Sequence, residues 1–179
     1  MKVLSMKLSQ FEMQKLKDMI KQSSIKRLSN FQKLNLSATK GQTLFVGDSM
    51  IDYLDINKFL PEIKALNRGI AGATTKLIKN YFDIIFDELD PKEIWISIGS
   101  NDLVLLESTP EMIVTSISEL FSLIMQHFSK TKIYYLSTTP VIQEGHPLYK
   151  KIYIGCRTKE ENIQINEGVK KLTTSSSIA

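Results

Sequence analysis

The stretch FVGDSMIDYL, residues 45–54, decides how this sequence folds. It continues an apolar and aromatic run from Thr43, which predicts a strand over 43–48, and a helical pattern follows over 50–59. So abrupt a change leaves Gly47-Asp48-Ser49 at the turn. A serine there faces unsatisfied backbone N–H groups and the positive end of the helix dipole. That placement suits a nucleophile beside which an oxyanion develops. Asp and Ser are equally at home as helix N-caps, so the triplet alone leaves both readings open.

The same alternation runs outward along the chain. Strand patterns fall at about 64–68, at 93–99 (EIWISIG) and at 132–138 (KIYYLST), and helical patterns at 74–88, 110–128 and 158–172. The clearest helix has Thr109 as N-cap and Pro110 at its first position. Ile113, Ile117, Leu120, Phe121, Ile124 and Phe128 line one face of it. Alternating strands and helices predict an α/β fold, a parallel sheet covered on both faces by right-handed crossovers. Sites in such sheets form beyond the carboxyl ends of the strands, where strand order reverses. Chemistry is therefore expected just after residues 48, 68, 99 and 139.

A chain of 179 residues, 42% of them hydrophobic, suffices for one domain with a core. Its one cysteine, Cys156, excludes an intrachain disulfide and is compatible with a reducing compartment. The opening MKVLSMKLSQFEMQKLK has no signal-peptide pattern, and no apolar run approaches the ~18 residues of a membrane span. The expectation is a soluble, cytoplasmic domain with no membrane span. Residues 1–40 carry eight Lys and one Arg against Glu12 and Asp18, or +7 of a chain total of +4, which leaves −3 for the remainder. Such a segment could meet nucleic acid or an anionic membrane surface. However, Leu8, Phe11, Leu16, Met19 and Ile20 share one helical side with lysines opposite, and no nucleic-acid motif accompanies them. The expected organisation is a basic helical segment over 1–40 packing on a domain over 41–172. A disordered tail, TTSSSIA, is expected over 173–179, and no nucleic-acid partner is expected.

Two further strand ends carry polar chemistry. NRGIAGATT, residues 67–75, is a tight glycine loop before a helix that Thr74 could cap, and Gly72 could present its N–H to a carbonyl oxygen. The loop lacks both the dinucleotide fingerprint and the G-K-[ST] of a phosphate loop, and alone it is a turn. In IGSNDLV, residues 98–104, Asn101 could donate its amide to an oxyanion while Asp102 organises the loop; an Asx-turn is the plain alternative.

Taken in order, FVGDSMID, NRGIAGATT and ISIGSNDL resemble the three leading blocks of the SGNH (GDSL-type) hydrolase family. The likeness is greatest to its bacterial acylhydrolase branch, related to platelet-activating-factor acetylhydrolase, and spans about residues 43–172. The resemblance implies a three-layer flavodoxin-like fold with parallel strand order 2-1-3-4-5. It also implies a serine esterase that acts on a small acyl ester through an acyl-enzyme. Ser49 would be the nucleophile. The Ser49 N–H, the Gly72 N–H and the Asn101 side chain would form the oxyanion hole, with Asp48 and Asp102 supporting. No cofactor and no metal are implied.

The family's D-x-x-H block has no counterpart here. His127 and His146 are preceded three residues earlier by Ile124 and Gln143. His127, near the end of a long helix, is expected roughly 25–30 Å from the strand tips at ~1.5 Å per residue. His146, in PVIQEGHPLY after the fourth strand, is the one candidate base, with substrate contact or a plain loop residue as alternatives. The expectation is thus a truncated member lacking the fifth strand and last helix. Without a base, a serine hydroxyl stays protonated, so a catalytically dead ligand binder or an unstable fragment is the alternative. An unpaired fourth-strand edge (IYYL) would invite homo-oligomerisation. Trp95 and Tyr134 fit strand core positions, Cys156 reads as structural, and no metal-ligand spacing is visible.

Overall fold

A computed structural model describes residues 8–142, 144–155 and 157–173; Cys156 and the tail beyond residue 173 lie outside them. Four strands pair in parallel: β1 (Thr43–Gly47), β2 (Ala65–Gly69), β3 (Glu93–Ser97) and β4 (Lys132–Tyr135), in the order β2-β1-β3-β4. Gly47 stands opposite Gly69 on one side and Ser97 on the other, so three neighbouring strands end at one level. The crossover from β1 to β2 runs one way along the sheet, and those from β2 to β3 and from β3 to β4 run the other. Right-handed crossovers then put their helices on opposite faces.

Nine helices follow among the described residues. In chain order they are α1 (Gln10–Leu36), α2 (Ser49–Asp52), α3 (Ile56–Phe59), α4 (Thr75–Asn80), α5 (Phe82–Phe86), α6 (Ser100–Leu105), α7 (Pro110–His127), α8 (Lys151–Ile154) and α9 (Lys159–Thr173). Strand alternation divides the core in two. Leu44, Val46, Ile94, Ile96 and Ile133 face the large layer, built with Phe31 of α1, Ile78 of α4, Phe86 of α5, Phe121 of α7 and Ile165 of α9. Phe45 and Trp95 face a thin layer with Ile51 and Ile56, where Phe45, Trp95 and Tyr134 stack across three strands. The α/β architecture is the one expected, with unequal layers. No helix of the described residues is long and apolar enough to cross a membrane.

Local structure departs from expectation where side chains stop helices. The helix anticipated over 50–59 is two, because Asp55 restarts the turn by accepting from the Lys58 N–H at 3.1 Å. That anticipated over 74–88 breaks at Tyr81, whose N–H closes the first helix onto Leu77 and Lys79 carbonyls. Asn101 and Asp102, expected in a loop, sit in the first turn of α6.

Helix α1 starts with a capping box in which Ser9 and Glu12 satisfy each other's backbone N–H groups. At ~1.5 Å per residue it outruns the five-residue strands by far. Only its second half, with Leu28, Phe31 and Asn35, is buried. Of the apolar stripe at the start of the helix, Leu8 is half-buried against the core, whereas Phe11 is 78% exposed and Met19 53%. Where α1 crosses β2, Arg68 is fully buried with no carboxylate partner among the described residues. Its Nε and Nη2 donate to Asn35 Oδ1 at 2.9 and 2.7 Å, and its guanidinium lies over Phe31. Burial, helped by Arg27, pushes Arg68 down to about 10. Asn35 also donates to the Asp87 carbonyl at 3.0 Å, linking α1 to the end of α5.

Removing that acceptor strands a buried cation. Asn35→Ala is expected to lower unfolding free energy by on the order of 3 kcal/mol in urea titrations; a loss below about 1 kcal/mol would show that Arg68 does not depend on it.

Candidate functional site

The first strand tip has little freedom. A Cβ on Gly47 would lie 2.0 Å from the Ser97 carbonyl oxygen, so only glycine lets β1 pass β3 at this level. The Asp48 N–H donates to that same oxygen at 3.1 Å. Asp48 is itself the cap of α2: its Oδ1 accepts from the Met50 N–H at 2.9 Å, and its carbonyl accepts from Ile51 and Asp52. Burial raises its carboxyl above the usual range, opposed by the Met50 bond and by Arg157. With the cap supplied by Asp48, Ser49 stands half-buried at the first helical position. Among the described residues no hydrogen bond engages its hydroxyl or its N–H.

The glycine loop is held from below. The Ala71 N–H donates to Asp52 Oδ2 at 2.9 Å, and Asp52 Oδ1 pairs with Arg27 Nε at 3.0 Å. Arg27 also donates to the Gly69 carbonyl, and Asn67 ties the Gly69 N–H to the Ile51 carbonyl. Gly72 follows at φ +79°, with Ile20 of α1 so close that an added Cβ would come within 2.5 Å of it. No hydrogen bond among the described residues uses the Gly72 N–H.

The third tip is fastened to the second. Asn101 Nδ2 donates to the Ala73 carbonyl at 3.0 Å, which anchors its amide beside Gly72 and leaves one N–H of that amide for the cavity. Asp102 is buried beneath the start of α4: its oxygens accept from the Thr75 N–H at 3.1 Å and from the Thr75 hydroxyl, which also meets Ser116. Burial pushes Asp102 up to about 6 against the pull of Thr75 and Lys79. Asp102 thus positions the helix that follows the glycine loop.

Ser49, Gly72, Asn101 and Arg157 line one cavity of about 510 Å³, with Leu16 and Ile20 of α1 on its apolar side. The two histidines do not reach it. His146 is exposed, with its Nδ1 accepting from the Leu148 N–H at 3.1 Å. His127 is exposed at the end of α7, edge-on to Phe82 and Phe128.

Four residues of this site escaped the sequence reading. Asp52, three residues after Ser49, and Asn67, opening the glycine block, carried a positional hint. Arg27 and Arg157 carried none: Arg27 comes from α1, and Arg157 enters from before α9, donating to Ser100 Oγ at 2.8 Å.

The raised carboxyl of Asp102 has a defined effect on stability. An unfolded aspartate titrates near ~4. Between about pH 4 and 6 the folded chain therefore holds a proton that the unfolded chain has released, and stability falls as pH rises, by roughly 2–3 kcal/mol at most. Relative to wild type, Asp102→Asn should gain about this much between pH 4 and pH 7 in urea titrations. A pH-independent difference would mean that Asp102 is ionised throughout.

No protein-family model matches the chain, and no curated protein does. Solved structures do match. One from Streptococcus pneumonia, named for platelet activating factor, superposes with a TM-score of 0.82 at 22% identity over 96% of this chain and 80% of that one. A GDSL-like lipase from Bacteroides thetaiotaomicron follows with a TM-score of 0.69 at 16% identity, over 84% and 75% of the two chains. An acetylxylan esterase from Geobacillus stearothermophilus gives 0.54 at 16% identity, over 77% and 74%. The chain is similar to these proteins in fold.

Proposed function

We propose that this cavity binds a small acyl ester and that the protein is a serine ester hydrolase of the SGNH type, with Ser49 as nucleophile. The observation that carries the proposal is the meeting of Ser49, Gly72 and Asn101 in one cavity at the ends of three adjacent parallel strands. Ser49 Oγ attacks the ester carbonyl carbon as its proton passes to solvent water or to an added base such as imidazole. The carbonyl oxygen becomes an oxyanion held by the Ser49 N–H, the Gly72 N–H and the spare N–H of Asn101. Collapse expels the alcohol, which takes a proton, and leaves acyl-Ser49 for water to cleave. Asp48 and Asp102 position this array, since their oxygens are engaged by backbone N–H groups and by Thr75. The lipase and esterase names of the similar structures agree with an ester substrate.

The proton of Ser49 needs an acceptor, and neither histidine lines the cavity. That observation favours a second reading, an acyl-ligand binder with little turnover; oxyanion donors and binding alone supply only the residual part of such catalysis.

Added imidazole separates the readings. On the esterase reading, a chromogenic acetyl ester acetylates Ser49, seen by peptide mass spectrometry, and imidazole accelerates hydrolysis well beyond the Ser49→Ala background. Asn101→Ala should slow the acetylation by about 10²-fold. If Ser49 stays unmodified with imidazole present, the binder reading stands and the esterase reading falls.

A further inference from the structure

The cavity at Ser49 has a neighbour. Between α1 and α4 lies a second cleft of about 220 Å³, walled by Ile25 and Leu28 on one side and Leu77 and Tyr81 on the other. Ile20 and Leu105 line both spaces and form the partition between them. Ile20 lies directly over Gly72, and Leu105 ends the helix that carries Asn101, so the partition stands beside the oxyanion donors themselves. This placement accounts for Leu16, Met19 and Ile20 in the first half of α1, which build the cavity.

We propose that the cleft between α1 and α4 is the binding site for the acyl chain of the ester, a saturated chain of medium length running from Ser49 across Ile20 and Leu105 toward Leu28. The inference rests on the reading of Ser49 as the site of acyl transfer and names the substrate class that site takes. The lining argues for a hydrocarbon against a sugar or a peptide. Sugar hydroxyls and peptide amides placed there would find few polar partners in the lining, whereas a hydrocarbon gains from covering Leu28 and Leu77. Of the two hydroxyl-bearing residues of the lining, Ser24 already donates to the Ile20 carbonyl at 2.8 Å, and Tyr81 is 42% exposed. Lys17 and Lys21 are exposed, at the rim. The alcohol would leave on the opposite side, past Met19 and Tyr53, where Tyr53 is 77% exposed.

Binding of reaction products tests this without turnover. The full chain carrying Ser49→Ala is titrated calorimetrically with butanoate, octanoate and decanoate. Affinity should rise about threefold for each methylene from butanoate to octanoate. Leu77→Trp, which fills the second cleft, should bring octanoate down to the affinity of butanoate. Ile20→Ala, which removes the α1 side of the partition and leaves Leu105, should strengthen decanoate binding at least tenfold, a gain that misfolding cannot produce. Octanoate binding no tighter than butanoate, or a chain-length dependence untouched by Leu77→Trp, overturns the proposal. Acetylation of Ser49 with no chain-length dependence sinks the acyl cleft alone. Chain-length-dependent binding without acetylation sinks the catalytic reading and leaves the cleft in place.

Discussion

Everything at the site depends on three parallel strands ending in one register row, Gly47 between Gly69 and Ser97. Because β1 lies in the middle, the loops that follow β1 and β2 leave toward opposite faces of the sheet, and a crevice opens at the β1 tip. That crevice brings Ser49, Gly72 and Asn101 to one cavity although more than 50 residues separate the first from the last. The row is tight enough that Gly47 tolerates no side chain. Its last polar groups are tied crosswise, Asp48 to Ser97 and Asn101 to Ala73. The tips are therefore fixed relative to one another by these two hydrogen bonds.

The long first helix does two jobs with its two halves. The second half is structural: Phe31 and Asn35 enclose Arg68, and Arg27 reaches through to Asp52 and the glycine loop. A helix pinned there by buried polar contacts projects its first half past the sheet's carboxyl edge and over the cavity. The stability of the fold and the shape of the cavity are then coupled, since whatever loosens Arg68 or Arg27 also shifts Leu16 and Ile20 against Gly72.

Much of this was legible along the chain. The four strands follow from runs of β-branched and aromatic residues, α7 from its cap, its proline and its apolar spacing, and sheet order from the resemblance of the motifs. Helix breaks were not, because they are set by single side-chain contacts such as Asp55 with Lys58 and not by periodicity. The first half of α1 was legible only as a pattern. Its apolar residues repeat with helical spacing, which signals burial without naming what buries them. Core and ligand cavity leave the same mark on such a pattern.

By itself the sequence determined the alternation of strands and helices and the position of Ser49 at a strand tip, since each depends on residue type and local spacing. Tertiary structure alone decided that Asp48 and not Ser49 caps α2, and that His146 stands outside the cavity. It also decided that Arg27 and Arg157 join the site and that α1 roofs it. These outcomes depend on where distant segments cross. Such crossings follow from strand register and helix packing, which no local pattern encodes.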